Sequence, residues 1–269
     1  MVFNKNSFYF RSEKPLNSAN FIQFEQLRES PYADVICYPK LTQKELTKRL
    51  KELKQLQIVA IEFTGRKSVH NVPVLGKGCV GIVVKAFIDK EAHALKIRRI
   101  DADRTEMRHE AEMLEKANTI KIGPKLLNAS KNFLIMEHIE GLFFPEWLKK
   151  TRSKQKIRNI LRQALEQCWQ LDKIGLDHGE LSHAPKHIII KPDNTPTVID
   201  FETASTTRKT QNVTSLCQYF LIANRLAKRI EKKLDTIEKD KLIKALRKYK
   251  NAKTRENFED ILKSVKLIW

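Results

Sequence analysis

The pattern of hydrophobic and polar residues is irregular over residues 1–40 and becomes periodic after residue 42. Thr42 and Glu45 match the capping box with which many helices begin. The leucines that follow are spaced three or four residues apart, as on one face of a helix: Leu46, Leu50, Leu53 and Leu56. The pattern predicts a basic amphipathic helix, and the β-branched run at residues 58–63 predicts a strand after it. Residues 1–70 are therefore predicted to form an accessory N-terminal unit of a helix and a strand.

Short apolar runs typical of strands replace this pattern over residues 72–97. They read VPVLG, GIVVKAFI and HALKI, and glycine or Asp-Lys-Glu turns separate them. Good helix formers then fill residues 104–118, and the chain returns to a strand pattern at residues 133–139. Residues 71–140 are predicted to form an antiparallel meander with one inserted helix.

The second half of the chain is predicted to be helical. Its clearest helix carries apolar residues at helical spacing from Ile157 to Trp169. Residues 187–202 interrupt the helices with two apolar runs around a Pro-Asp-Asn turn, which predicts a hairpin. Helices resume at Val213, and residues 221–269 form a basic amphipathic tail. We expect residues 141–269 to form one helical lobe.

Composition narrows the class of protein. The 269 residues hold 51 Lys+Arg and 32 Asp+Glu, a formal net charge of +19, and 41% are hydrophobic. This is enough to bury a sizeable core. We expect no membrane span and a cytoplasmic protein, because no apolar run reaches the length of a signal peptide or of a membrane helix. The excess of positive charge favours an anionic partner such as a nucleotide, RNA, a ribosomal particle or a membrane surface.

Gly76, Gly78 and Gly81 lie in a predicted hairpin, where they would let the backbone approach a polyphosphate. An ordinary hairpin that carries glycines is the alternative. A dinucleotide-binding fingerprint is disfavoured because the chain continues as a strand after Gly81. Lys96 follows on the next strand, flanked by apolar positions, and its ammonium would project beneath the hairpin.

An acidic residue on the next helix could hold the Lys96 ammonium. Glu110 is the first candidate, with Glu106 and Glu112 as competitors. Further along the chain, His178 and Glu180 precede an apolar strand, and Asp200 directly follows another. A carboxylate at the mouth of a hairpin favours coordination of a metal and a phosphate.

Six motifs occur in the order of the protein-kinase signature set: GKGCVGIV, ALKI, HEAEML, LIMEHIEG, HGEL and VIDFE. The chain resembles the atypical archaeal serine/threonine kinases near the RIO kinases and the kinase subunit of the KEOPS complex, over about residues 72–220. The resemblance implies an α+β, two-lobed protein-kinase-like fold. A small antiparallel-sheet N-lobe would lie over a helical C-lobe, with ATP in the cleft between them.

The resemblance also implies roles for individual residues. Lys96 would contact the α- and β-phosphates, and residues 136–139 would form the hinge that binds adenine. Those implied to bind the nucleotide are Gly76, Gly78, Gly81, Val83, Lys96, Glu110, Glu137 and Ile139. Asp200 and His187 would hold Mg²⁺ or Mn²⁺, and Glu180 would accept the proton of the substrate hydroxyl.

The chain departs from the family pattern at the catalytic loop and after it. Glu180 stands where an aspartate is expected, in a loop two residues longer, and His187 replaces an asparagine. The imidazole suits Mn²⁺ or Zn²⁺ better than Mg²⁺. Glu202 replaces the glycine that follows the metal-binding aspartate, where it could bind a second metal or form a local hydrogen bond. Residues 203–212 are too short for a full activation segment.

These features predict ATP-dependent phosphoryl transfer to Ser/Thr hydroxyls of a protein. The candidates for autophosphorylation are Ser205, Thr206, Thr207 and Thr210. A small-molecule phosphotransferase like the aminoglycoside and choline kinases is one alternative, although +19 is an awkward charge for recruiting a cationic substrate. The other is an ATPase switch or pseudokinase that binds RNA or a ribosomal particle through its basic N-terminal helix and tail.

Overall fold

A seven-stranded antiparallel sheet organises the first half of the chain in the computed structural model, which describes residues 20–268 except 224 and 235–236, and leaves out the side chains of residues 183–185. Six strands lie in the order β1-β2-β6-β7-β9-β8, and β5 pairs with β6. A separate hairpin pairs β3 with β4. The strands are β1 (Phe21–Gln23), β2 (Ile58–Glu62), β3 (Lys67–Val69), β4 (Val72–Val74), β5 (Gly76–Lys77), β6 (Gly81–Ile88), β7 (Glu91–Arg98), β8 (Leu126–Ala129) and β9 (Phe133–Glu137).

Three α-helices accompany this sheet: α1 (Tyr32–Ile36), α2 (Gln43–Gln55) and α3 (Arg108–Asn118). A 3₁₀ helix precedes α1 at Phe24–Arg28. The predicted start of α2 is confirmed, since the Thr42 hydroxyl accepts a hydrogen bond from the Glu45 amide at 3.3 Å. The Glu45 carboxylate does not complete the capping box, because it pairs with Arg49 four residues on, at 2.8 Å.

Residues 20–62 and the strands after them share one hydrophobic core. Leu53 and Ile61 are buried together with Val84 and Leu95, and β2 pairs directly with β6. The predicted division near residue 70 therefore runs through a single sheet and a single core. Residues 1–19 of the predicted N-terminal unit lie outside the described residues.

Helix α3 begins at Arg108, four residues later than the sequence pattern predicts. The backbone before it is used by tertiary hydrogen bonds. The Met107 amide donates to the carbonyl of Lys131 at 3.0 Å, and the Arg104 carbonyl accepts from Arg98 at 3.3 Å. These bonds take the place of the first helical turn.

The second half is a helical lobe that contains a small three-stranded sheet. Its strands are β10 (Leu142–Phe143), β11 (Ile188–Ile190) and β12 (Pro196–Val198). Its helices are α4 (Phe144–Lys150), α5 (Lys154–Lys173), α6 (Asn212–Cys217), α7 (Arg225–Leu234), α8 (Lys239–Asn251) and α9 (Arg255–Ser264). A 3₁₀ helix lies at Leu181–Lys186, and a π-helical turn at Gln218–Ile222 follows α6.

The predicted apolar stripe of α5 and the predicted hairpin are both confirmed. Ile157, Leu161 and Leu165 are buried in the core of this lobe, and β11 pairs antiparallel with β12. The structure thus confirms the predicted α+β class, with an antiparallel sheet first and helices after it. Among the described helices, none is both long enough and apolar enough to cross a membrane.

Candidate functional site

Lys96 lies at the centre of a cluster of charges where the sheet meets the helical lobe. Its ammonium donates to Glu110 of α3 at 2.9 Å, to Asp200 at 3.0 Å and to Glu202 at 2.8 Å. Glu110 is buried, whereas its competitor Glu112 is exposed on the same helix. The structure therefore selects Glu110 as the acid on α3 that pairs with Lys96.

The carboxylates around Lys96 decide its protonation state. Burial alone would lower the pKa of Lys96, but Glu110, Asp200 and Glu202 outweigh it and raise that pKa well above its usual value. Burial would likewise raise the pKa of Asp200, yet Lys96 holds it below the usual value for a carboxyl. Lys96 and Asp200 therefore stay ionised at neutral pH.

The predicted glycine hairpin forms above this lysine. Gly76 pairs with Val83, and the Gly78 amide donates to the Gly81 carbonyl at 2.8 Å. A Cβ atom on Gly81 would lie 3.0 Å from the Lys96 side chain, so a larger residue there would displace the lysine. Gly76 and Gly78 have room for a Cβ, with their nearest neighbours at 3.5 and 3.6 Å. Gly81 is thus the glycine that this arrangement of the hairpin requires.

Arg99 and Tyr38, which the sequence did not predict to be near the site, contact the glycine hairpin. The Arg99 guanidinium donates to the Gly78 carbonyl at 3.0 Å and lies 5.0 Å from the centre of the Tyr38 ring. The ammonium of Lys77, within the hairpin, lies 4.5 Å from the same ring. Tyr38 therefore lies against two cations that flank the backbone of the glycine hairpin. Motif spacing gives no indication of this contact, because Tyr38 lies outside the matched motifs.

The three predicted residues of the catalytic loop and metal site lie side by side. His187 Nε2 is 3.0 Å from a carboxylate oxygen of Glu180, and His187 Nδ1 is 3.8 Å from Asp200 Oδ2. Glu180 is the most exposed of them, with 41% of its side chain accessible. His187 is buried, and its Nδ1 has no hydrogen-bond partner. Glu180 thus reaches solvent while His187 links it to Asp200.

Asp200 adopts a left-handed backbone conformation, with φ of 71°. Residues with a side chain rarely adopt this region, and the strain is sustained only where the surroundings fix it. The neighbouring Ile199 amide donates to the His187 carbonyl at 3.0 Å, and Phe201 is buried. These contacts hold the turn that brings the Asp200 carboxylate to Lys96.

Buried polar groups that the sequence analysis missed hold the loop at His178–Glu180 in place. The His178 amide donates to Asn212 Oδ1 at 2.8 Å, and the Asn212 side-chain amide donates to Asp172 at 2.8 Å. Tyr249 of α8 donates to the same carboxylate at 2.8 Å. Asp172 thus joins α5, α6 and α8 behind the loop.

The His178 side chain is fully buried beside the site. Its Nε2 is 3.0 Å from the Ile199 carbonyl, its ring packs against Phe201 at 5.1 Å, and its Nδ1 has no partner. Burial and the nearby His187 lower the pKa of His178 to about 4. His178 is therefore neutral at pH 7 and acts as a fixed support.

The predicted hinge residues lie at and just after the end of β9. The Glu137 amide donates to the Lys125 carbonyl at 2.8 Å, and its carboxylate lies 3.6 Å from Lys191. Ile139 follows and is half-buried. Val83 lies directly opposite Lys96 in the β6–β7 pair. The implied adenine contacts stay a prediction.

A comparison with protein-family models matches the RIO domain over residues 80–220, just over half of the chain. The matched span begins in the glycine hairpin and ends in the π-helical turn after α6. It contains Lys96, Glu110, Glu180, His187 and Asp200. A search of curated proteins gives no match.

Proposed function

The chain belongs to the RIO-domain family of atypical, protein-kinase-like proteins, and from this premise we propose that it transfers the γ-phosphate of ATP to Ser or Thr hydroxyls of a protein. The family implies phosphotransfer with ATP and a divalent metal. The finer assignment depends above all on the bonds of Lys96 to Glu110 and Asp200 beneath the glycine hairpin. That arrangement joins an oriented cation to a phosphate-binding backbone.

The nucleotide-binding residues act by position and charge. The hairpin backbone at Gly76, Gly78 and Gly81 would lie over the phosphates, although the Gly78 amide already donates to the Gly81 carbonyl, and Lys96, held by Glu110, would contact the α- and β-phosphates. Val83 would contact the adenine ring, and the backbone of Glu137 and Ile139 would bind its edge.

Asp200, His187 and Glu180 would bind the metal and accept the proton. Asp200 and His187 fit Mg²⁺ or Mn²⁺, because the unpartnered Nδ1 and Asp200 Oδ2 face each other at 3.8 Å. When bound, such an ion neutralises phosphate charge. Glu180 would accept the proton of the attacking hydroxyl, and His187 orients its carboxylate.

The structure narrows the candidates for autophosphorylation. Thr210 is buried, and its hydroxyl accepts a hydrogen bond from Lys253 at 2.5 Å, so it is withdrawn from the set. Ser205 is half-buried, and its hydroxyl oxygen accepts hydrogen bonds from the amides of Thr207 and Arg208, so it is withdrawn as well. Thr206 and Thr207 are exposed and remain the proposed acceptors.

The test is incubation of the full chain with γ-labelled ATP and Mg²⁺ or Mn²⁺, with an added protein acceptor such as casein. We expect label on protein with the wild type and with the exposed control Glu112→Gln. Asp200→Ala should abolish the label while thermal melting shows a retained fold. Free phosphate without labelled protein would instead indicate the ATPase switch, and an undiminished rate in Asp200→Ala would contradict the metal assignment.

We also propose an anionic partner, RNA or a ribosomal particle, because cations of α4 and α7 border a groove. The groove has a volume of about 170 Å³ and lies between α4 and α7. Its walls are almost wholly apolar, and four of the six residues that form them carry a positive charge: Pro145, Leu148, Lys149, Arg229, Lys232 and Lys233. Binding of a labelled RNA should weaken steeply as salt rises. Arg229→Glu together with Lys232→Glu should reduce both the affinity and the salt dependence, and unchanged binding would contradict this role of the groove.

A further inference from the structure

The carboxylates of Asp200 and Glu202 both lie next to the Lys96 ammonium. Between them, Phe201 is buried and packs against His178. With that ring fixed in the core, the side chains on either side reach Lys96 at 3.0 Å and 2.8 Å. In the protein-kinase signature set that the motifs follow, a glycine without a side chain occupies the position of Glu202. The second carboxylate therefore departs from that signature.

Lys96 does not need Glu202 as a partner. Both carboxylate oxygens of Glu110 lie within 2.9 Å of the ammonium, and both side chains are about 95% buried. Asp200 and Glu202 are more open, with 38% and 16% of their side chains accessible. Lys96 is thus paired on its buried side by Glu110, and the carboxylates of Asp200 and Glu202 lie together on the more open side. One oxygen from each of the three carboxylates lies within 4.8 Å of the others, a spacing that could hold a metal ion.

His187 provides a second, independent indication of a missing cation. Its side chain is 92% buried, and its Nε2 lies at hydrogen-bond distance from Glu180. If Nε2 carries the proton for that bond, Nδ1 carries a lone pair, has no partner and lies 3.8 Å from the Asp200 carboxylate. Two acceptors that face each other without a proton between them favour a metal ion as the shared partner.

We propose that Glu202 is a third protein ligand of the divalent metal that accompanies ATP, beside Asp200 and His187. This inference rests on the proposed function. In the nucleotide-free protein the Lys96 ammonium occupies the place of the cation between the two carboxylates. When the metal and nucleotide bind, Lys96 keeps Glu110 and exchanges Asp200 and Glu202 for phosphate oxygens.

A competing role for Glu202 makes an opposite prediction. If Glu202 only blocked Lys96, its neutralisation would strengthen the binding of nucleotide without metal and leave metal affinity unchanged. If Glu202 is a ligand, neutralisation weakens metal binding in the nucleotide complex. Glu202→Gln distinguishes the two, since the amide keeps the shape and can still accept the hydrogen bond from Lys96.

The experiment titrates the full chain with Mn²⁺ and follows free Mn²⁺ by electron paramagnetic resonance, with and without the non-hydrolysable ATP analogue AMPPNP. We expect Glu202→Gln to weaken Mn²⁺ binding in the AMPPNP complex by roughly tenfold or more. Glu112→Gln, an exposed acid on α3, should match the wild type. Glu202→Asp keeps a carboxylate and should recover part of the loss, which a folding defect would not explain.

Equal Mn²⁺ affinity in the wild type and Glu202→Gln would overturn the role of Glu202 alone. Tighter binding of metal-free AMPPNP to Glu202→Gln, with Mn²⁺ affinity unchanged, would establish the blocking role instead. Failure of the wild type to bind Mn²⁺ with AMPPNP at all would overturn the proposed function as well. Thermal melting of each variant identifies any that does not fold. If Glu202→Gln does not fold, the Mn²⁺ affinity of Glu202→Asp decides whether Glu202 is a ligand.

Discussion

His178 shows how a single buried residue makes stability depend on pH. Its pKa in the folded protein is about 4, below the ordinary value of 6.5 for a histidine side chain. Between these values the unfolded chain binds a proton that the folded protein does not, so stability falls as pH falls from 6.5 to 4. The difference of about 2.5 pKa units corresponds to roughly 3 kcal/mol.

We expect urea unfolding of the wild type to reveal this loss when pH 7 is compared with pH 4. The His178→Phe variant should be less stable at pH 7, because it lacks the bond to the Ile199 carbonyl, but its stability should change less over the same interval. An identical pH dependence in the two proteins would contradict the assignment. Carboxyl groups titrate in both proteins. The difference between the two proteins in the pH dependence of stability is therefore due to His178.

At the same scale, the sequence identified residues that belong to known motifs and missed those that act only through the fold. Lys96, Glu110 and Asp200 were predictable because a family pattern spaces them. The bond between Lys96 and Glu202 joins residues 106 positions apart. The spacing of motifs along the chain does not predict a contact between residues so far apart, so the contact between Lys96 and Glu202 was found only in the structure.

At the scale of elements, the glycine hairpin depends on a support outside the matched motifs. Arg99 bonds to the Gly78 carbonyl and lies against Tyr38. We predict that Arg99→Ala raises the KM for ATP several-fold and leaves kcat nearly unchanged, because the hairpin loses its position while the catalytic groups keep theirs. Steady-state kinetics at varied ATP concentration measure both.

Lys90→Ala is the matched control, since Lys90 is an exposed cation in the turn between β6 and β7. It should leave both constants unchanged. Tyr38→Leu should reproduce the effect of Arg99→Ala if the ring is part of the support. A fall in kcat with an unchanged KM would show that Arg99 acts elsewhere.

Helices with a clear cap or apolar stripe could be predicted from the sequence. Strands that exist only through pairing with a distant strand were harder to predict. The cap at Thr42 and the apolar stripe of α5 fix their helices from local sequence alone. Strand β10 has two residues and exists only through its pairing with β11. The start of α3 moved because bonds to other parts of the sheet took its first turn.

At the scale of the whole molecule, Asp172 connects the helical lobe to the loop at His178–Glu180. Its carboxylate accepts from Tyr249 and from both the backbone and the side chain of Asn212. Asp172→Ala leaves these buried donors without a partner, and we expect a loss of about 3 kcal/mol in the free energy of unfolding. Chemical denaturation at pH 7 measures it.

Tyr249→Phe provides a graded comparison, because it removes one of the four hydrogen bonds to the Asp172 carboxylate and no charge. It should lower the free energy of unfolding by about 1 kcal/mol. Equal effects of Asp172→Ala and Tyr249→Phe would show that Asn212 finds other partners. Since Asn212 also binds the His178 amide, Asp172→Ala should reduce phosphotransfer even where the protein remains folded.

The ion pairs of Lys96 have a consequence for turnover. Before any nucleotide arrives, the lysine already joins α3 of the sheet half to the loop of the helical half. In the proposed function, ATP would replace contacts that Lys96 already makes, so its net affinity would be the difference between two sets of interactions. Asp200 and Glu202 would return to Lys96 when ADP leaves, and this return would assist product release.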